Sequence, residues 1–448
     1  MRTQSRKLFD RSFSGLSLFS IVLVAAALII LLTPITLKGL SAYIFKGTVE
    51  HRLVMHHELG HGGEQSIEAD EARTDAAREP LYQYLAEFEK DLVAMSFMQR
   101  RQYAGPYEEL KGHLRTLLGP LPGDRPRVMV REQYGQTRWD RAQIKLQHVM
   151  FVEQYDYSDP TRMGRKILTP RADDFKGQSI EPLFGYVDAN LEKMLAPRWT
   201  FYWQFLFDES IDSHFYGGIW PEVLGTLYLT LGAVLFAVPM GIVSAIYLIE
   251  YAPEGAFISI LRTCINTLAG VPSIVFGLFG LAFFINTMHV SPSKSVLAGS
   301  MTLAVLILPV VIRSAEEAIR SVPRTYKEAA LSLGSGKWRT IVKVILPAAL
   351  PGILTGVVIS MGRAAGETAP IIFTAAVSVG RPLHIWQTLN QPTPALSWNV
   401  YNLCTEHEAV DEIRHVQYGM VLTLVALVLL LNGAAIVLRA RISRKLTG

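Results

Sequence analysis

The segment HHELGH, at residues 56 to 61, contains a pattern that can bind zinc. His57 and His61 flank Glu58 at the spacing of the H-E-x-x-H motif of zinc metallopeptidases, in which two histidines bind the metal and the glutamate activates a water molecule. The motif needs a continuous helix, but Gly60 lies inside it and two more glycines follow. His57 and His61 are therefore only weak metal candidates. We expect no cofactor, and a membrane-anchored zinc peptidase stays a distant alternative.

A second set of chemically interesting residues lies within apolar sequence. Arg363 and Glu367 are four residues apart in MGRAAGETAP, Thr368 follows them, and Arg313 lies near the end of another apolar run. A charged residue inside a membrane span costs about 2.5–3.5 kcal/mol, so it is a functional candidate. Arginine presents a planar donor fork that suits an oxyanion. These four residues are our candidates for a substrate pathway, although Arg363 and Glu367 could also simply neutralise each other.

The composition points to a membrane protein. Half of the 448 residues are hydrophobic and the net charge is only +4. The basic residues lie beside apolar stretches and not in one patch, which argues against a nucleic-acid partner. Cys264 and Cys404 fit no C-x-x-C pattern, so we predict neither a disulfide framework nor a cysteine metal site.

Six stretches are long and apolar enough to cross the roughly 30 Å hydrocarbon core of a bilayer. A polar segment of more than 150 residues separates the first from the second, and five spans crowd the C-terminal half. The predicted spans are Leu16–Leu37, Val223–Ile249, Asn266–Met288, Val296–Ile319, Gly352–Val377 and Tyr418–Leu438.

Lysine and arginine positions predict the orientation of these spans. Basic residues cluster before the first span, between the fourth and fifth spans at residues 320 to 343, and after the sixth span at residues 439 to 445. All three clusters agree on one topology. We therefore expect both termini in the cytoplasm, with several membrane crossings between them.

The polar segment at residues 41–215 is expected to be a small extracytoplasmic α+β domain. Apolar spacing predicts a helix that begins at Leu81 after Pro80, and a second helix that ends at Gly119. The alternation in QIKLQHVMFVE (residues 143 to 153) predicts a half-buried strand. The aromatic run RWTFYWQFLF at residues 198 to 207 favours a position at the membrane interface.

The segment between the fourth and fifth spans contains a short pattern at fixed spacing. It resembles the cytoplasmic "EAA" loop of ATP-binding-cassette (ABC) importer permeases, with Val344 at a position where that family has isoleucine. We expect a short helix, a sharp turn at the glycine and a second helix that together dock on an ATPase. The matching residues are Glu328, Ala329, Ala330, Gly334, Leu346 and Pro347.

The same segment includes LGSGKW (residues 333 to 338), which resembles the end of a phosphate-binding P-loop but does not complete that motif. Leu331 occupies the position of the first glycine, and Trp338 replaces the serine or threonine that holds magnesium. The chain is therefore not expected to be an enzyme, and ATP hydrolysis is assigned to a separate subunit.

Residues 199 to 440 resemble the phosphate-specific permeases of this family, most closely the PstA type. The resemblance implies an all-α integral membrane protein with six transmembrane helices in the type I importer fold. It also implies a second permease subunit, two copies of an ABC ATPase and an extracytoplasmic phosphate-binding protein as partners. Glu367 would accept a hydrogen bond from protonated phosphate and repel sulfate. An importer for another oxyanion, sulfate or molybdate, stays open.

The resemblance also implies the inner membrane of a bacterium as the location. With the predicted spans, the chain is expected to have four parts. Residues 1–40 would be the cytoplasmic N-terminus and first anchor, and residues 41–215 an extracytoplasmic domain that enlarges the family pattern. Residues 216–440 would be the five-span permease core, with the EAA loop at about 320–350, and residues 441–448 a cytoplasmic tail.

Overall fold

The computed structural model of the chain describes residues 2–62, 64–125, 127–156, 165–253 and 255–447. Residues 1–40 and 219–448 form one compact unit, called here the apolar unit, and residues 41–218 form a second, the inserted unit. Most described residues are helical. Among the described residues, five helices are long and apolar enough to cross a membrane, or up to six candidate spans if one bent pair of helices is counted as a span.

Seventeen α-helices and six strands are found in the described part of the chain. The helices are α1 (Arg2–Leu40), α2 (Val49–His57), α3 (Glu64–Ala94), α4 (Phe97–Leu118), α5 (Val130–Tyr134), α6 (Trp139–Met150), α7 (Glu181–Leu195), α8 (Trp220–Ile246), α9 (Ala256–Leu268), α10 (Ser273–Gly280), α11 (Val296–Arg320), α12 (Arg324–Ser332), α13 (Lys337–Thr340), α14 (Leu346–Gly366), α15 (Ala369–Thr374), α16 (Leu396–Thr405) and α17 (Arg414–Thr447). The strands are β1 (Ile44–Gly47), β2 (Phe151–Asp156), β3 (Arg165–Pro170), β4 (Arg198–Phe201), β5 (Ser210–Ile211) and β6 (Tyr216–Gly217).

Helix α11 lies at the centre of the apolar unit, where it packs against both α8 and α14. Small residues allow this close approach. A Cβ atom added at Gly241 of α8 would lie 2.6 Å from Cγ1 of Val311, and one at Gly356 of α14 would lie 2.2 Å from Cβ of Ser314. Because lipid tails are as apolar as leucine, such backbone proximity is a main source of packing energy between membrane helices.

Two of the predicted spans are not single straight helices. The predicted third span, Asn266–Met288, begins near the end of α9 and includes the break after it, where α9 and the helix Ser273–Thr287 are bent by 101°. Pro272 lies in this break and cannot donate the hydrogen bond that would continue the helix. The predicted fifth span, Gly352–Val377, is also wrong at its end: α14 stops at Gly366 because Pro370 cannot donate to the carbonyl of that residue. The candidate span there is Lys337–Gly366 instead.

The inserted unit has its own hydrophobic core, formed mainly by α3, α4, α6 and α7. Its strands form three separate two-stranded antiparallel sheets, β1 with β4, β2 with β3, and β5 with β6. The second predicted helix is confirmed at its end, since α4 is capped by Gly119 in a positive-φ conformation.

Two local predictions in this unit are wrong. Helix α3 begins at Glu64, so Pro80 lies within it and not before its first turn. The residues predicted to be a strand from 143 onward belong to α6, and the strand begins only at Phe151. The apolar residues also fit helical spacing: Ala142 and Val149 are buried in the core, whereas Ile144, which the alternating pattern places inside, is exposed.

Titratable side chains are also buried in the inserted unit. Arg78 forms an ion pair with Glu50 and donates to the carbonyl oxygen of Met194 at 2.7 Å. Burial raises the pKa of Glu50, although Arg78 opposes that shift. The neighbouring His51 stays neutral, because burial lowers its pKa to about 3.

Candidate coupling segment and charged residues of the apolar unit

The predicted helix and turn of the E-A-A segment, residues 320–350, are confirmed. Helix α12 includes Glu328, Ala329 and Ala330, and it ends in a Schellman motif around Gly334, whose φ is +81°. The amide of Gly334 donates to the carbonyl of Leu331 at 2.9 Å, and that of Ser335 donates to the carbonyl of Ala330 at 3.1 Å. The second helical stretch runs through α13 and a π-helical turn, Ile341–Ile345, to Leu346 and Pro347 at the start of α14.

This segment is exposed within the chain. No residue of α12 is buried, Leu333 is 89% exposed and Trp338 is 64% exposed. Large apolar side chains in such positions are typical of a surface that another protein covers.

Lys327, the residue before Glu328, connects α12 to the end of the α8 span. Its Nζ lies 2.5 Å from Oε2 of Glu250, whose side chain is only 6% exposed. Lys337 of α13 lies 4.6 Å from the ring centroid of Tyr251, next to Glu250. Both contacts connect the E-A-A segment to the π-helical turn Tyr247–Tyr251, which follows α8.

Replacing Gly334 with alanine is expected to impair the ATP-driven uptake that the resemblance implies, because a Cβ atom is unfavourable at φ +81° by about 1–2 kcal/mol. That cost shifts the turn population by a factor of about 5–30. The measurement is uptake by the chain assembled with the partners that the resemblance implies. Gly336→Ala is the matched control, since Gly336 has φ −69° and, like Gly334, has open space where the Cβ would lie. Equal activity of the two variants would show that the turn conformation is unimportant.

Arg363 and Glu367 form an ion pair, with Nε of Arg363 3.3 Å from Oε1 of Glu367. Arg363 lies in the last turn of α14 and Glu367 caps the helix in an extended conformation. Two further hydrogen bonds join this end of α14 to α16: Thr368 donates to the carbonyl of Ser397 at 3.3 Å, and Ser397 donates to the carbonyl of Glu367 at 3.2 Å. Glu367 also lines a cavity of about 10 Å³, enough for roughly one water molecule.

Arg313 lies elsewhere in the apolar unit. It forms an ion pair with Glu317, Nε to Oε1 3.4 Å, and both side chains are about 70% exposed. The two residues line a cavity of about 240 Å³ together with Arg262, Glu316 and Arg320, and Glu367 lines a different one. The structure therefore brings Arg363, Glu367 and Thr368 together but not Arg313.

Two acidic residues near the ends of the candidate span Trp220–Tyr251 were not predicted from the sequence. Glu222 is fully buried and accepts a hydrogen bond from Nδ2 of Asn399 at 3.0 Å, and Glu250 pairs with Lys327. Both lie one residue outside the predicted span Val223–Ile249. The rule that selected Arg363, a charge within an apolar run, could have found them if it had been extended to the span ends.

The histidines of HHELGH do not share a helical face. Helix α2 ends at His57, Glu58 is its cap, and Gly60 has a positive φ of 69°. Nδ1 of His57 lies 3.1 Å from the hydroxyl of Tyr134, whereas Nε2 of His61 lies 3.0 Å from Oδ1 of Asp208. No group of three or more potential metal ligands occurs among the described residues.

Several known proteins are similar to this chain. Residues 237–448 match the family described as binding-protein-dependent transport system inner membrane component. The chain is 34% identical to the probable ABC transporter permease protein YqgI of Bacillus subtilis, over 59% of this chain and 90% of that protein. It is 36% identical to the phosphate transport system permease protein PstA of Mycobacterium leprae, over 53% of this chain and 76% of that protein. Among solved structures, a chain of the MetNI methionine ABC transporter has a TM-score of 0.40 at 18% identity, covering 49% of this chain and 94% of that one.

Proposed function

Because the chain belongs to the family of binding-protein-dependent transport system inner membrane components, and is thus an ABC importer permease, we propose that it imports inorganic phosphate. Permeases of this family are not enzymes; they cross the inner membrane several times and work with ATPase and binding-protein partners. The phosphate assignment is supported by several PstA permeases at 32–36% identity over about half of the chain.

The observation that supports a role in transport best is the position of both candidate sites on one candidate span. Lys337–Gly366 has the E-A-A turn next to its first residue and Arg363 in its last turn. At 1.5 Å per residue, Arg363 lies about 40 Å along the helix from Lys337. With the E-A-A segment in the cytoplasm and both termini inside, Arg363 and Glu367 lie near the extracytoplasmic end, where a binding protein delivers the anion.

The chemistry of this end suits phosphate. Arg363 provides a permanent positive charge and a donor fork, and Glu367 partly neutralises it. The second pKa of phosphate lies near neutrality, so the bound anion can carry a proton and donate a hydrogen bond to the Glu367 carboxylate. Sulfate has no proton to donate and would be repelled. The combination favours phosphate over a fully ionised oxyanion.

The transport cycle follows from the E-A-A segment at one end of the candidate span Lys337–Gly366 and the Arg363–Glu367 pair at the other. A second, related permease completes the pathway, six spans being contributed by each in the type I arrangement. Two ATPase subunits dock on the exposed E-A-A segments; their closure on ATP turns the pathway outward, and hydrolysis resets it. In this chain the movement passes from Glu328 and its neighbours to α14 through Leu346 and Pro347, and to α8 through Lys327.

Uptake of radiolabelled phosphate into vesicles that contain the complete transporter tests this proposal. We expect ATP-dependent uptake that excess sulfate or molybdate does not reduce, and its loss on Glu328→Arg, which reverses a charge on the exposed α12 helix. Competition by sulfate or molybdate would assign the permease to another oxyanion. Uptake should survive His57→Ala/His61→Ala; its loss in that variant, with zinc bound by the wild type, would make HHELGH a working metal site.

A further inference from the structure

The β1–β4 sheet of the inserted unit has one face without a covering layer. Ile44 pairs with Phe201 and Lys46 pairs with Trp199, and all four side chains are exposed. We call these four residues the ribbon face. On the opposite side of β1, Phe45 is buried in the unit. Two large aromatic side chains of the ribbon face are therefore left largely uncovered by the rest of the chain: Trp199 is 72% exposed and Phe201 is 66% exposed.

The chain itself holds this face near a bilayer. The apolar stretch Phe13–Leu40 has 28 residues, or about 42 Å of helix, which is comparable to a whole bilayer with its headgroup layers. Leu40 therefore lies at about headgroup level. Ile44 follows four residues later and cannot be more than about 14 Å from Leu40. Phe201 is the partner of Ile44 in the sheet, so the chain keeps both side chains within reach of the headgroup layer.

The side chains have the chemistry of membrane-interface residues. Tryptophan is enriched where hydrocarbon meets headgroups, and lysine keeps its charge in the headgroup layer while its methylene groups cover apolar surface. Nζ of Lys46 lies 5.6 Å from the ring centroid of Trp199, so the charge and the aromatic ring are already held together. Trp203 and Phe207, which follow β4 directly, are also about half exposed and pack edge to face at 5.9 Å.

We propose that the ribbon face inserts into the headgroup layer of the lipid bilayer and anchors the inserted unit to the membrane surface. The anchor is made of side chains from both ends of the unit, since β1 follows the first span and β4 precedes the second. It fixes the unit next to the membrane independently of the substrate that the permease carries.

Site-directed spin labelling of the full chain in lipid nanodiscs tests this anchor. Cys264 and Cys404, both exposed, are first changed to serine. A single nitroxide is then attached at Trp199→Cys or Phe201→Cys, with Ile44→Cys as a third position should either aromatic change disturb folding. Phe97→Cys on α4 is the matched control, because Phe97 is an equally exposed apolar residue of the same unit, at 77%. Power saturation with oxygen and with a water-soluble nickel complex reports the depth of each label.

The expected result is loss of nickel accessibility at the ribbon face while oxygen accessibility is retained, with high nickel accessibility at position 97. Nickel accessibility at positions 44, 199 and 201 equal to that at 97 would overturn the proposal. Protection of these positions from both reagents would also overturn it, since it would mean that a protein surface covers them.

Discussion

Arg363→Leu is expected to lower phosphate uptake about 10- to 150-fold, since hydrogen bonds to a charged group are worth about 1.5–3 kcal/mol. The substitution removes the donor fork and leaves Glu367, whose side chain is 18% exposed, without its partner at 3.3 Å. The initial rate of uptake, measured over a range of phosphate concentrations and normalised to the amount of assembled transporter, is the readout. Arg363→Lys should restore only part of the rate, because lysine keeps the charge but not the planar fork.

Arg313→Leu is the matched control for this prediction. Arg313 also pairs with a glutamate four residues later, at 3.4 Å, but both side chains are largely exposed. Exposed pairs are worth about 0–1 kcal/mol, so the expected effect on uptake is less than about fivefold. Normal uptake by Arg363→Leu, or equal losses in the two variants, would contradict a specific role for Arg363 at the anion.

Lys327→Met is expected to uncouple ATP hydrolysis from transport. It leaves the carboxylate of Glu250, which is 6% exposed, without the ammonium group 2.5 Å away. Breaking a fully buried pair costs about 3–5 kcal/mol, and because Lys327 is 39% exposed we expect a smaller effect, about 1–3 kcal/mol or roughly 5- to 150-fold in uptake. The ratio of phosphate imported to ATP hydrolysed should fall, because α12 is no longer held to α8.

The double variant Lys327→Met/Glu250→Gln distinguishes two effects: loss of the contact between α12 and Glu250, and the cost of leaving the Glu250 carboxylate unpaired. Removing both charges also removes the cost of burying the carboxylate alone, so part of the lost uptake should return. The reversed pair Lys327→Glu/Glu250→Lys should restore the coupling ratio further. Reversed and single variants with the same ratio would show that the pair does not connect the two helices.

The sequence predicts many of the local elements of this protein. The apolar runs identify the candidate spans because burying about 20 consecutive apolar residues has few solutions other than a membrane. Gly334 predicts a turn because only glycine adopts its backbone conformation without strain. The pairing of Arg363 with Glu367 follows from their spacing of four. In the same way, Gly60 within HHELGH and the two glycines after it predict that the helix does not continue through His61.

Tertiary structure decided the points at which two local interpretations compete. Residues 143 to 150 fit both a strand and a helix, and packing of Ala142 and Val149 into the core of the inserted unit selects the helix. Pro272 and Pro370 are visible in the sequence, but a proline alone does not say whether a span bends, breaks or continues. In the structure Pro272 lies in a break with a 101° bend, and α14 ends at Gly366, four residues before Pro370.

The contacts between distant residues were also beyond the sequence. Lys327 and Glu250 are separated by 77 positions, and the two strands of the ribbon face by more than 150 residues. Spacing along the sequence determines which residues share a face of one helix or strand, because side chains repeat every 3.6 residues in a helix and every 2 in a strand. Which faces then meet depends on how whole elements pack. The sequence by itself therefore identified the candidate spans, the E-A-A turn and the Arg363–Glu367 pair, while only the folded chain paired Lys327 with Glu250 and brought the aromatic side chains of β4 onto one exposed face with side chains of β1.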